Sequence, residues 1–414
     1  MNKKILYISY DGMTDPLGQS QVLPYLTGLS RYGYEFTILS FEKKDRYKAN
    51  RHTIENITGA AGIRWVPLSF TGKPPLISKF YDMVRMRQKA FSLQRKYKFD
   101  MVHCRSYLAA DVGLSLKKKF GTKLFFDMRG FWADEKKDGG AWNLKSPLYR
   151  SVYRYYKKKE AEYLQHADFI ISLTEAGKKE MTSWPAYDSS VSVGVIPCCA
   201  DMKHFSLTDP AQKVKSRELL KLPPDILVIS YLGSIGSWYM LDEMLELFLA
   251  VKKEYKDAMF LFITHTDPKI IITAMTSHGI DAKDFMIVNA SREQVPLYVK
   301  ASDINISFIK PVYSKLSSSP TKMGEVLSMG IPVITNAGVG DVEYIMTTTR
   351  AGIAIKEFNE KSFTEVVRSI PGLLSLDPAT IRDKAGLFYD LEMGILKYKK
   401  AYDEVFDHVN KREI

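Results

Sequence analysis

"SSSPTKMGEVLSMGIPVITNAGVGDVEYI", residues 317–345, holds a helical pattern, a buried strand and a second helix start in one run. Pro320 suits a first helical turn, where its missing N–H leaves no bond unmade. "IPVIT" is apolar at nearly every position and is bounded by Gly330 and by a Gly-rich turn. A strand apolar on both faces belongs in a parallel sheet covered on both sides by helices.

The same alternation extends in both directions. In the first half "KILYIS", "EFTILSF", "IRWVPL", "DMVHC", "KLFFDM", "DFIISL" and "VSVGVIP" read as strands, with helical patterns at 20–31, 76–97, 106–119 and 145–166. The second half restarts with "DILVISYLG", "AMFLFIT", "DFMIVN", "DINISFI", "IPVIT" and "AGIAI". The fold class is therefore α/β, with two Rossmann-like units built on parallel sheets. At 414 residues two domains are also the expectation from length. Periodicity lapses around residues 200–222, where Pro and polar residues collect, so the domains are drawn as 1–200 and 205–387.

A net charge of +12 favours an anionic partner, whether phosphates or membrane headgroups; scattered solvated lysines are the plain alternative. Three cysteines, two of them adjacent, form no disulfide framework and no zinc spacing, which fits a reducing, cytoplasmic setting. The apolar start "KILYIS" reads as a first strand rather than a leader, and no run approaches the ~20 apolar residues of a membrane span. No Asp-x-Asp, HxxxH pair, GxGxxG or P-loop occurs, so no metal is expected. Nucleic acid is not expected as a partner either, since basic and aromatic residues do not interleave.

In open parallel sheets ligands gather beyond the carboxyl ends of the strands, so the loops there carry the site. In the opening stretch Ser318, Ser319, Pro320 and Thr321 present amides and hydroxyls, and Lys322 adds charge, as a phosphate would need. Glu325 lies one turn on, where a carboxylate can accept hydrogen bonds from a ribose diol. A dipole-stabilised Glu is the structural alternative. Gly233, Ser234, Gly236 and Ser237 make a small-residue turn leading to a helix near Trp238, whose backbone N–H groups can cradle a donor phosphate. Val295 starts a helix between two strands and is counted with the donor-binding residues; packing is the structural alternative and suffices for most of Val295–Tyr298.

In the first half, Asp11, Gln19 and Ser20 follow the first strand and can hydrogen-bond polyol hydroxyls, Gly18 lets the backbone bend close to a ligand, and a helix is expected to start near Ser20; an N-capped turn is the alternative. "DMRGFWADE" places Asp127, Arg129, Trp132 and Glu135 at another strand end. Asp127 and Arg129 share a face and can pair.

Together these pieces resemble glycosyltransferase family 4, the retaining GT-B transferases that use nucleotide sugars. The resemblance is carried by "GQSQVLPYLTGLSRYGYEFTILSFEK", "DMRGFWADE", "ISLTEAGKKEM", "VIPCCADMKHF" and "SSSPTKMGEVLSMGIPVI". It implies an acceptor-binding first domain, a donor-binding second domain facing it across a cleft, and a C-terminal helix, about 388–414, crossing back to the first. It implies UDP- or GDP-sugar as donor, a glycan or lipid-linked acceptor in surface-polysaccharide synthesis, and no cofactor. Glu325 matches the second Glu of the family's paired-Glu motif; Ser317 stands where the first should be. Ser234 replaces the family's phosphate-binding Arg, which leaves Lys322 as the charge candidate, with Lys310 and Lys315 in reserve. Arg129 stands at the place of a family His, and Asp127 is assigned to the sugar. The catalytic set implied is Asp127, Arg129, Lys322 and Glu325. A GT-B epimerase acting on UDP-sugars and a catalytically silent partner protein are the rival readings. The basic amphipathic segment 73–99 adds peripheral contact with an anionic membrane, at the inner face of the cytoplasmic membrane, as a further expectation; a sheet-covering helix is its alternative.

Overall fold

The structure, a computed structural model, describes residues 2–74 and 77–407. The chain divides into two units, one formed by Met1–Pro197 together with the segment from Leu391, the other by Cys198–Asp390.

The first unit is built on seven strands: β1 (Lys3–Ser9), β2 (Tyr34–Glu42), β3 (Arg64–Ser69), β4 (Met101–Arg105), β5 (Lys123–Asp127), β6 (Phe169–Ser172) and β7 (Ser192–Val195). Their order across the sheet is β3-β2-β1-β4-β5-β6-β7, and every pairing is parallel. The second unit has six: β8 (Val228–Leu232), β9 (Met259–Ile263), β10 (Phe285–Val288), β11 (Ile304–Ser307), β12 (Val333–Asn336) and β13 (Gly352–Ile355). These run β10-β9-β8-β11-β12-β13, again all parallel. The continuous apolar runs are explained by burial: every residue of β4, β8 and β11 is inaccessible or nearly so.

In each sheet the strand order reverses once, between β1 and β4 and between β8 and β11. Chains leaving neighbouring strands in opposite directions open a crevice at that point. It falls where "SYDGMTD" follows β1 and "SYLAAD" follows β4 in the first unit, with "DMRGFWADE" one strand over at the end of β5, and where "GSIGSWY" and "KPVYSKLSSSP" follow β8 and β11 in the second.

One face of the first sheet is closed by the helices Pro16–Gln21, Leu23–Ser30 and Leu391–Asp407. The last of these arrives after the whole second unit, yet its ring contacts are to the first: Tyr398 to Tyr25 at 5.4 Å, Tyr402 to Phe125 at 5.0 Å and to Tyr34 at 5.2 Å between centroids. A methyl group on Gly28 would lie 2.3 Å from Ile395 Cδ1, so the absence of a side chain there sets how closely the two helices approach.

Candidate functional site

The second unit brings the opening stretch to the β8–β11 crevice. A short 3-10 turn, Tyr313–Ser317, precedes the helix Thr321–Ser328. The three serines take different partners. Ser317 is buried and its hydroxyl donates to the Ser314 carbonyl at 3.0 Å. Ser319 Oγ accepts the Cys198 N–H at 3.1 Å, and Ser318 gives its N–H to the Lys315 carbonyl. Only part of the expected row of hydroxyls and amides thus faces outward. Pro320 and Thr321, half-buried, open the helix.

Glu325 is 1 % exposed, yet two cations hold its carboxylate. Lys322 Nζ donates to Oε2 at 3.0 Å, and Arg292 Nη1 lies 3.5 Å from Oε1. Arg292 comes from the loop after β10; its carbonyl meets His204 Nε2 at 3.0 Å and its guanidinium lies over the Phe205 ring at 5.7 Å. Nothing in "NASREQ" distinguishes this Arg from a solvated one, and the sequence reading missed it.

Gly233 ends β8 with φ +139°, a conformation closed to side-chain-bearing residues, and a methyl group there would sit 3.9 Å from Lys322 Cγ. Lys322 therefore stands beside both the glycine turn and Glu325. Ser234, Gly236 and Ser237 are exposed. They do not run straight into a helix: Trp238 and Tyr239 are tied to the β11 loop through the Tyr239–Ile309 bridge, and the helix begins at Leu241. Val295 starts a five-residue helix and packs on the core. Of the reserve lysines, Lys310 is exposed, while Lys315 is buried with its ammonium 3.8 Å from the Trp238 ring centroid.

In the first unit Asp127 and Arg129 come together, but not as an open pair. Asp127 is 2 % exposed and accepts the Tyr398 hydroxyl at 3.0 Å; His103 Nε2 is 3.5 Å away and Arg129 Nη1 3.9 Å away. His103 Nδ1 in turn meets the Tyr402 hydroxyl at 2.6 Å. Burial alone would raise the Asp127 pKa, but the Arg129 guanidinium, His103 and Arg105 outweigh it and hold the carboxyl below its usual range. Burial holds His103 below the ordinary imidazole value against the pull of Asp127, so the ring is neutral. The sequence assigned Asp127 to a sugar; the structure gives its carboxylate to the C-terminal helix and to His103. Arg129 (φ 56°) and Ser106 (φ 66°) take left-handed backbone where β5 and β4 end, the strain of which clusters at functional crevices.

The loop after β1 is tied down by a residue not foreseen. Glu42, buried at the end of β2, accepts the N–H groups of Met13 and Thr14 at 2.8 and 3.0 Å, and the Thr14 hydroxyl. Gly18 lies inside the helix Pro16–Gln21, where a methyl group would meet the Gly12 carbonyl at 2.2 Å; it serves the loop's own packing. Ser20 is accordingly near that helix's end, not its start. Gln19 donates to the Thr14 carbonyl at 3.1 Å, and Asp11 faces Arg105 Nε at 3.4 Å.

Trp132 opens the helix Trp132–Asp138, packed against Tyr156 at 4.8 Å and Trp142 at 5.3 Å, with Glu135 half-buried one turn on. Among the described residues no cluster of three or more His, Cys, Asp or Glu could hold a metal ion, and no helix is long and apolar enough to cross a membrane. The three cysteines are free and buried.

Comparison with known proteins adds to this geometry. Residues 20–204 match the model of Glycosyltransferase Family 4. Among solved structures, sucrose-phosphate synthase from Thermosynechococcus elongatus superposes with a TM-score of 0.71 at 16 % identity, covering 98 % of this chain and 100 % of that one. Anabaena HepE in complex with UDP-glucose gives 0.70 at 12 % identity, over 97 % and 99 % of the two chains. WaaG, a glycosyltransferase involved in lipopolysaccharide biosynthesis, gives 0.68 at 14 % identity, over 96 % and 98 %. No protein of curated function matches the chain. The two parallel sheets are those of the GT-B fold.

Proposed function

From the match of residues 20–204 to glycosyltransferase family 4 and from the GT-B fold, we propose a retaining transferase that moves a sugar from a UDP- or GDP-sugar to a hydroxyl of a glycan or lipid-linked acceptor. The observation that carries this reading is Glu325. A buried carboxylate at the β8–β11 crevice, clamped by the partly exposed Lys322 and Arg292, can exchange its cations for a ribose diol. Lys322, freed in that exchange and set beside Gly233, neutralises the departing diphosphate as charge gathers on it. No metal is needed for that step in this proposal. An oxygen of the leaving phosphate takes the acceptor proton on the same face, which gives retention without a strong protein base.

The UDP-glucose held by HepE and the lipopolysaccharide role of WaaG favour a nucleotide sugar and a place in surface-polysaccharide synthesis. A site on the cytoplasmic face of the membrane is part of the proposal. The helix Ile77–Tyr97 supports it, exposing Ile77, Phe80, Tyr81 and Val84 among Lys79, Arg85, Arg87 and Lys89.

The test is turnover and donor affinity for the wild type and Glu325→Ala across a panel of UDP- and GDP-sugars. Loss of the charge-assisted ribose bonds weakens donor binding by roughly 10- to 100-fold. Unchanged affinity and turnover in the variant would sink the assignment. A second reading, nucleotide binding without transfer, draws on Ser317, which puts a buried hydroxyl where a sugar-reading carboxylate is expected. Donor binding with no turnover on any acceptor mixture would favour it.

A further inference from the structure

The lysines around Trp132 are not all alike. Lys137 pairs with Asp134 and Asp138, and Lys157 pairs with Asp134 and Glu160. Lys79 and Lys136 have no carboxylate within ion-pair distance among the described residues. Instead both ammonium groups lie over the Trp132 ring, at 5.3 and 5.8 Å from its centroid, and Lys79 also approaches the Tyr10 ring at 6.0 Å. Tyr10 follows β1 and Trp132 follows β5, so the pair sits where those strands end.

Two half-buried like charges close enough to one indole ring to repel each other are unfavourable by themselves. Burial and the neighbouring Lys136 both depress the Lys79 pKa, as expected for a cation awaiting a counter-ion. Cation–π contact returns only about 0.5–2 kcal/mol per pair. Two flexible point charges match the oxygens of a dianion; a single carboxylate is better served by the planar fork of Arg. On the same first turn of the helix Ile77–Tyr97, Ile77, Phe80 and Tyr81 are 69 %, 73 % and 54 % exposed.

We propose that Lys79, Lys136 and Trp132 form a phosphoryl-binding subsite for an amphiphilic phosphate or diphosphate, whose apolar portion lies along Ile77, Phe80 and Tyr81. This rests on the reading that the first unit takes the acceptor, and it narrows that acceptor to one bearing a phosphate next to a hydrocarbon chain.

Binding of geranyl diphosphate, inorganic pyrophosphate and geraniol is followed by tryptophan fluorescence and by calorimetry, in parallel with UDP. In the wild type geranyl diphosphate binds more tightly than either fragment. Lys79→Met with Lys136→Met weakens it by roughly 10- to 100-fold and leaves UDP binding unchanged. Lys79→Arg with Lys136→Arg recovers most of the loss. Lys89→Met, which removes one exposed charge from the same helix, has no effect. Equal affinity in the Met variant, or an equal loss with Lys89→Met, overturns the subsite. A matching loss for UDP reassigns the two lysines to the donor and overturns it as well. Co-sedimentation with phosphatidylglycerol vesicles separates the other source of phosphate: if the Met variant loses vesicle binding but keeps geranyl diphosphate, the lysines read headgroups and the proposal fails. Failure of the wild type to bind any nucleotide would overturn the donor assignment while leaving these results interpretable.

Discussion

Glu325 in the second unit and Asp127 in the first are both buried carboxylates near the carboxyl end of a sheet, and the two are held in opposite ways. Glu325 is neutralised by side chains that reach solvent, Lys322 at 41 % and Arg292 at 24 % exposure. Asp127 is surrounded by groups that do not: His103, Tyr398 and Arg129 are all buried or nearly so. Exposed cations can turn to a ligand at little expense, because water replaces the contact they leave. Buried partners cannot, since each would be left charged or polar with nothing to bind. Two buried carboxylates thus differ in their surroundings: one is held by cations that can exchange, the other by a fixed joint.

Replacing the two carboxylates should separate these roles. Asp127→Ala leaves Arg129, His103 and the Tyr398 hydroxyl without their shared acceptor and lowers stability by about 3–5 kcal/mol. Denaturant unfolding reads this directly, and Glu325→Ala should lose far less in the same assay while losing donor affinity. An equal loss of stability in both variants would abolish the distinction.

Tyr398→Phe keeps the ring packing against Tyr25 and removes one hydrogen bond to a charged group, lowering stability by about 1.5–3 kcal/mol. A loss smaller than that of Asp127→Ala is required if Arg129 and His103 share the carboxylate.

The smallest effect is on pH dependence. His103 and Asp127 both have folded-state pKa values below their unfolded ones. The unfolded chain therefore takes up protons first as pH falls, and stability declines with acidification. His103 contributes in the window below its unfolded value of 6.5, and Asp127 follows below 3.8. The Tm of the wild type should drop on going from pH 7 to pH 5, and His103→Asn should flatten that part of the curve. A wild-type Tm that rises over the same interval would reverse the sign and refute the neutral, buried imidazole.

The parts legible in the sequence are those that depend on local pattern. Strands buried on both faces leave runs such as "VISYL" and "MFLFI" uninterrupted, and the helices between them are long enough for parallel crossovers. The order of strands is not encoded in any one segment, because every crossover has the same local appearance. Glu325 and Lys322 were readable because they share one helix turn with Pro320. Arg292, Glu42 and Tyr398 were not, because their meaning lies in a distant partner. Ile395, Tyr398, Tyr402 and Val405 do follow one another at i, i+3 and i, i+4 spacings, which marks a buried face. Nothing local could name Asp127, 271 positions earlier, as what that face covers.

The helix Leu391–Asp407 is the last described element of the chain and a structural member of its first unit. During synthesis the amino-terminal sheet must wait, with Tyr7, Tyr25 and Phe125 uncovered, until the helix Leu391–Asp407 has left the ribosome, by which time the whole of Cys198–Asp390 has already been made. Chains stalled or clipped before that helix would therefore fail in the first unit. Quality control that senses exposed apolar surface would reject unfinished copies by the state of the half made first.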